Sequence, residues 1–255
     1  MRVPYCSGSM PHWLLSSMIL AQIVGGVITD GYPEVGGITG ARWVDPKPFC
    51  TGTLISPSLF LTAAHCLFSD EQLLDSNDPQ PYDTSLIQVV FAGQRYAVRT
   101  LHIHPLFNDD TLNDIALVEL VDPILDIVPA RLARLTPRRH AAATIVGFGD
   151  SGGPVADAGE FKREGTVRLR GCPADPDYRT SICWYTRFDG DTNSCFGDSG
   201  GPVFVTRRTG ARYLAGIIAG GDGCLTGWNY NTNVAEYRDW IDDLVARSSV
   251  PSNGG

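Results

Sequence analysis

Apolar residues in this 255-residue chain arrive in short runs, each stopped within a few residues by Gly, Pro, Asp or Asn. That punctuation predicts many short strands joined by turns. Candidate strands are 53–56, 60–62, 86–91, 115–120, 144–146, 203–206 and 213–218. The pattern changes only at the end. There Val234, Tyr237, Trp240, Ile241, Leu244 and Val245 repeat at helical spacing, and Asn233 with Glu236 three residues on supplies a capped start. The stretch 121–140 holds three Pro and five Arg or His among short apolar fragments. It reads as a connector between two halves of about a hundred residues each. The expected class is all-β, a barrel or sandwich, with a C-terminal helix.

Composition narrows what such a chain does. With 43% hydrophobic and 19% charged residues it has the makings of a packed core and not of a disordered chain. A formal net charge of −8 argues against a nucleic-acid or anionic-membrane partner. No apolar run reaches the roughly 18–20 residues of a membrane-spanning helix. Residues 13–21 read WLLSSMILA, with Arg2 upstream and Ala21 closing the run, so 1–22 is expected to be an export signal. The alternative is a loosely packed N-terminal segment. Of the seven cysteines, Cys6 leaves with that segment and six remain, an even number suited to disulfides in an oxidising compartment. No pair has CxxC spacing, so zinc ribbons and thioredoxin-type redox motifs are not expected. Six cysteines allow fifteen pairings, and spacing does not choose among them.

Ser199 lies in Gly197-Asp198-Ser199-Gly200-Gly201-Pro202. Serine is a poor nucleophile unless a base takes its proton, and glycines let backbone N–H groups approach a developing oxyanion. The same hexapeptide occurs at 149–154, around Ser151. Apolar strands follow Ser199, and cysteines flank it; after Ser151 the chain is polar, so Ser199 is the expected nucleophile and Ser151 a surface-loop residue. The spacing Gly197-x-Ser199-x-Gly201 also fits the elbow of α/β-hydrolases, in which the His follows the Ser. All five histidines here precede Ser199, so the base must come from upstream. His65, in TAAHC after a candidate strand, is the best base. Asp114, in NDIAL, leads into an apolar strand, where a half-buried carboxylate needs a partner. An imidazole N–H would supply one and set the tautomer.

TAAHC, NDIAL and GDSGGP, in the order His65, Asp114, Ser199, resemble the trypsin/chymotrypsin-like serine proteases. IVGG at 23–26 and the terminal helix extend the resemblance from residue 23 to about 247. It implies two six-stranded antiparallel β-barrels, 23–125 and 126–245, with a C-terminal helix, a tail at 246–255 and a cleft between the barrels. It implies a secreted serine endopeptidase working through an acyl-enzyme. In it Ser199 is the nucleophile, His65 the general base and then acid, and Asp114 the orienting carboxylate, with an oxyanion hole at the N–H groups of Gly197 and Ser199. It also implies the disulfides Cys50–Cys66, Cys172–Cys183 and Cys195–Cys224. No cofactor or metal is implied. The partners are a protein or peptide substrate and a proteinaceous inhibitor, and the protein is expected to be a monomer.

By the same resemblance, the Ile23 ammonium pairs with Asp198 to order the nucleophile loop. Gln22, not Arg or Lys, precedes Ile23. Tryptic activation of a zymogen is therefore not expected; signal removal with trimming of Gln22 would expose Ile23. Asn193, six residues before Ser199, is expected at the base of the substrate pocket, with Ala219, Gly220 and Gly221 as its wall. An amide there, and no aromatic in the wall, predict a wide pocket that prefers uncharged residues to Arg and Lys. The alternative is that Asp222, or a residue of the loop 225–231, projects an acceptor for a basic side chain into the pocket. Asp70, Glu71, Asp75, Asp78 and Asp83 form an acidic loop that is expected to be solvated and not to hold calcium. The competing class is a catalytically inactive binding protein on the same fold.

Overall fold

The computed structural model describes residues 23–42, 47–69, 73, 78–107, 113–149, 159, 161–173, 180–188 and 191–248. The export segment 1–22 with Cys6, the acidic residues Asp70, Glu71 and Asp75, Ser151, and the tail beyond 248 lie outside the described residues.

Six strands, β2 (Val35–Gly40), β3 (Cys50–Ser56), β4 (Leu59–Thr62), β5 (Ile87–Phe91), β6 (Gln94–Ile103) and β7 (Ala116–Leu120), close a barrel in the order β2-β3-β4-β7-β6-β5. Six more follow: β8 (Ala142–Gly147), β9 (Arg163–Arg170), β10 (Ser181–Thr186), β11 (Pro202–Thr206), β12 (Arg212–Gly221) and β13 (Gly227–Asn233). Their order is the same, β8-β9-β10-β13-β12-β11, and β8 pairs with both β9 and β11, which closes the second barrel. All of these pairings are antiparallel, so the expectation of two six-stranded antiparallel barrels is met. Closure leaves neither sheet an open edge except where the two-residue β1 (Val27–Ile28) adds to β9. The connector 121–140 carries no strand, only an isolated bridge from Leu132 to Leu214.

All seven expected strands are present, most of them longer than their apolar runs. The strands without a clear signal are β1, β2, β6, β9, β10 and β13. In β2 three glycines break the apolar pattern, VGGITG, although every residue is buried. In β9, REGTVRLR, Thr166, Arg168 and Arg170 face outward while the charged Arg163 is buried, so no plain apolar alternation marks the strand. In β13, GWNYNTN, the buried positions are Asn229, Asn231, Thr232 and Asn233. Hydrogen bonds offset part of the cost of such burial: Asn231 donates to Ile182 O at 2.9 Å, although its Oδ1 has no partner among the described residues, and Asn233 donates to Thr136 Oγ1 at 2.8 Å. The terminal segment begins with a 3-10 turn, Val234–Tyr237, before α1 (Arg238–Ser248). Asn233 caps it by accepting from Ala235 N at 3.3 Å.

The first and last described segments of the chain cross. Ile23 is buried with Ile145, Leu169, Trp184 and Val203 inside the second barrel. Val234, Tyr237 and Ile241 join a cluster built around Leu54, Phe60, Leu61 and Leu117 of the first. Each side chain of this kind contributes about 1.5–3 kcal/mol when fully buried. Each segment thus ties its barrel to the other. Disulfides join Cys50 to Cys66, Cys172 to Cys183 and Cys195 to Cys224, closing loops of 16, 11 and 29 residues.

Packing inside the first barrel is tight at Gly52 in β3. A Cβ there would lie 2.3 Å from the ring of the fully buried Phe60 and 2.7 Å from Leu61 O. Gly52→Ala is expected to lower the unfolding free energy by about 1–3 kcal/mol, because the ring has nowhere to move. Urea denaturation of the purified variant beside the parent chain measures this.

Candidate active site

The cleft lies between the barrels, with a volume of about 750 Å³, and residues of both barrels line it, His65 and Ser199 among them. His65 opens a 3-10 turn directly after β4. Ala63 and Ala64, both fully buried, let that turn sit close against the barrel. Cys66 ties the turn to the start of β3.

Asp114 enters from the start of β7 and is 2% exposed. Its carboxylate grips His65 at two points. Oδ1 accepts the His65 backbone N–H at 2.9 Å, and Oδ2 accepts from Nδ1 at 2.7 Å. The carboxylate therefore holds the proton on Nδ1 and leaves the lone pair of the ring on Nε2. The Asp114 carbonyl accepts from Thr232 Oγ1 of β13 at 2.8 Å, which fixes the acid to the second barrel as well. Asn113 beside it adopts φ 56° and accepts from the Tyr237 hydroxyl at 3.2 Å. Burial holds that phenol above its ordinary pKa, so it stays a neutral donor.

Ser199 sits on a turn with φ +94° at Gly197 and +82° at Gly200, values that favour glycine. At Gly200 a Cβ would lie 2.1 Å from Thr62 Oγ1 and 2.2 Å from Thr51 O. The turn is pressed onto the first barrel: Thr51 N donates to Ser199 O at 2.8 Å. Neither the Gly197 nor the Ser199 N–H has an acceptor among the described residues. Asp198 is fully buried and accepts from Cys195 N at 2.9 Å and from Gly149 N at 2.8 Å. Gly149 opens the duplicated hexapeptide, so that copy begins against the Ser199 turn. Ser151 itself lies outside the described residues.

Asn193, expected at the base of the pocket, bonds the lining residues Gly223 and Cys224 from beneath. It is fully buried and does not line the cleft; it lies behind it. All of its amide positions are taken by the protein. Nδ2 donates to Gly223 O at 3.0 Å and Cys224 O at 2.9 Å; Oδ1 accepts from Trp184 Nε1 at 3.1 Å and Asn229 Nδ2 at 2.6 Å. The polar side chains that reach the cleft here are Ser194 and Asn229, hydrogen-bonded to each other at 2.8 Å. Asn229 lies within 225–231, the segment expected as an alternative source of a pocket group, though on a strand and not a loop; its own signal is Asn at alternate positions 229, 231 and 233. Ala219, Gly220 and Gly221 line the cleft, and a Cβ at Gly220 would meet nothing within 4 Å, so that wall is open. No Asp or Glu is among the described residues lining it. Asp222 accepts from Trp228 N at 2.9 Å instead. The first-barrel residues of the lining are largely aromatic, with Phe49, Phe68 and Tyr82; the second half of the chain adds Phe196, 81% exposed.

Among the described residues Cys50, His65 and Cys66 have the proximity of metal ligands, but both sulfurs are in a disulfide. Of the acidic loop, Asp83 accepts from Ser85 N at 2.8 Å as the cap of a 3-10 turn; hydrogen bonding from the Ser85 side chain, and then from that N–H, lowers its pKa. No helix among the described residues is long and apolar enough to cross a membrane.

Known proteins are similar to this chain in sequence. The profile of the Trypsin family matches residues 30–241. Coagulation factor XII of Bos taurus is 30% identical over 94% of this chain and 42% of that protein. Mannan-binding lectin serine protease 1 of Homo sapiens is 28% identical over 86% of this chain and 35% of that protein. The chain thus spans less than half the length of these two. It covers 85% of a trypsin of Simulium vittatum, at 30% identity over 81% of its own length. With that match over most of its length and two closed barrels flanking the His65–Ser199 cleft, the chain belongs to the trypsin family of serine proteases.

Proposed function

We propose that the protein is a secreted serine endopeptidase that cleaves after uncharged residues. The observation that carries this reading is the two-point grip of Asp114 on His65, at the rim of a cleft that Ser199 also lines. Ser199 Oγ attacks the scissile carbonyl carbon while Nε2 of His65 takes its proton. The oxyanion is met by the N–H groups of Gly197 and Ser199. The C–N bond then breaks, and His65 returns the proton to the departing amine. Water repeats the sequence on the acyl-enzyme and releases the acid. The buried Asp114 carboxylate stabilises the imidazolium that forms in each half. Three disulfides favour an oxidising compartment and so support secretion.

The pairing of an Ile23 ammonium with Asp198 is part of this reading. It is supported by the burial of both residues and by the bridge between Val24 and Asn193, in which Asn193 N donates to Val24 O at 2.9 Å. An ammonium beside the fully buried Asp198 would attract its carboxylate strongly, away from the screening of water. N-terminal sequencing of the active secreted protein is expected to begin at Ile23. Full activity in chains that start further upstream contradicts the pairing.

The nucleophile is tested with two variants. Ser199→Ala is expected to abolish fluorophosphonate labelling and lower kcat by about 10⁴-fold or more, while Ser151→Ala leaves both unchanged. Labelling that survives Ser199→Ala overturns the assignment, and an unlabelled parent chain favours an inactive binding protein.

Specificity follows from the open wall at Gly220 and from the neutral Ser194–Asn229 pair. A charged Arg or Lys side chain would lose its hydration there with no carboxylate in return. A peptide-library profile is expected to favour uncharged, medium to large residues before the scissile bond; cleavage mainly after Arg or Lys refutes this. Asn193→Asp places one carboxylate oxygen against two backbone carbonyls. It is expected to cost about 3 kcal/mol of stability without creating a preference for basic residues. Thermal unfolding and the same library check it.

A further inference from the structure

Thr51 stands second in β3, wholly buried, where the strand passes beneath the Ser199 turn. Every polar atom it has is committed at the seam between the barrels. Its N–H donates to Ser199 O at 2.8 Å, and its carbonyl accepts from Thr62 Oγ1 at 2.8 Å. Its hydroxyl makes two further bonds, and their direction is fixed. Phe148 N, 3.1 Å away, has only a hydrogen to give, so Oγ1 accepts there. The hydroxyl hydrogen is thereby aimed at Gly197 O, 2.8 Å away.

Gly197 has no side chain to restrain its torsions, yet it sits at φ +94°. Its carbonyl belongs to the peptide that joins it to Asp198, and rotation about Gly197 turns its own N–H. Asp198 is held separately, by Cys195 N and Gly149 N. The bond to Thr51 therefore anchors the carbonyl side of Gly197.

We infer that Thr51 is a positioning residue for the oxyanion site: its hydroxyl pins Gly197 O and so keeps the Gly197 N–H aimed into the cleft. The inference rests on the proposed peptidase activity. Thr51 touches no substrate and acts through Gly197. Valine has the same shape, so Thr51→Val removes the hydroxyl and leaves both Phe148 N–H and Gly197 C=O without that partner. Losing a whole oxyanion donor costs about 10²–10³ in kcat, and a displaced donor costs part of that.

The test measures kcat, KM and inhibition by a peptide boronic acid built on the residue preferred in the library. Thr51→Val is expected to lower kcat by about tenfold or more with KM changed by less than about threefold. Boronate affinity should weaken by the same factor as kcat/KM, since both depend on oxyanion binding. The pH midpoint of kcat/KM stays put, because His65 and Asp114 are untouched. Thr51→Ser, which restores the hydroxyl, is expected to recover most of the loss. If the Val chain does not fold, Thr51→Ala reads the same direction with a smaller loss. A folded Val or Ala variant with parental kcat and boronate affinity, even one that melts earlier, overturns the inference and leaves the peptidase reading intact. A parent chain with no Ser199-dependent hydrolysis overturns both.

Discussion

The Ser199 turn belongs to the second barrel but makes key hydrogen bonds to the first. Each barrel is closed, so neither can extend its sheet onto the other, and contact between them falls to turns, strand ends and side chains. At Gly200 the approach is so close that a single Cβ would collide with Thr62 Oγ1 and Thr51 O. The rest of the site is arranged around that crossing. Ser199 O receives Thr51 N, Gly200 N reaches back to Ile218 O, and Gly201 N bonds Asp198 O. A turn held on both sides has its geometry set by the protein itself, as the proposed oxyanion site would demand.

The acid is held by the same logic in reverse. Asp114 lies at the start of a first-barrel strand, and a second-barrel threonine, Thr232, holds its carbonyl. A carboxylate that is 2% exposed tolerates its charge because His65 supplies two N–H donors to it. The crossed segments reinforce this seam, with Ile23 buried in one barrel and Ile241 packed against the cluster of the other. Movement of one barrel against the other would disturb the His65–Asp114 grip, the Ser199 turn and both segments at once.

The pocket shows a different use of burial. Asn193, Asn229, Ser194 and Trp184 form a neutral hydrogen-bonded group behind and beside the open glycine wall. Buried amides of this kind are stable only when every donor and acceptor is used. Asn193 meets that condition entirely within the protein and so has nothing left to offer a substrate. The groups that face the cleft are those at the edge of the network.

Much of this was legible in the primary structure. Short punctuated runs marked seven strands, the change of period marked the terminal helix, and the three motifs with their chain order marked His65, Asp114 and Ser199. These signals are local, set by neighbours within a few residues, and so survive without a fold. Strands such as β2 and β13 were not legible, because three glycines or alternating asparagines erase the apolar pattern while the positions are still buried. Tertiary structure alone decided that Asn193 lies behind the pocket and Asn229 at it, that Gly149 holds Asp198, and that Thr51 bonds Gly197. Those partners stand 30 to 146 residues apart in the chain. Their meeting depends on how two barrels close and dock, a geometry that no local run of residues specifies.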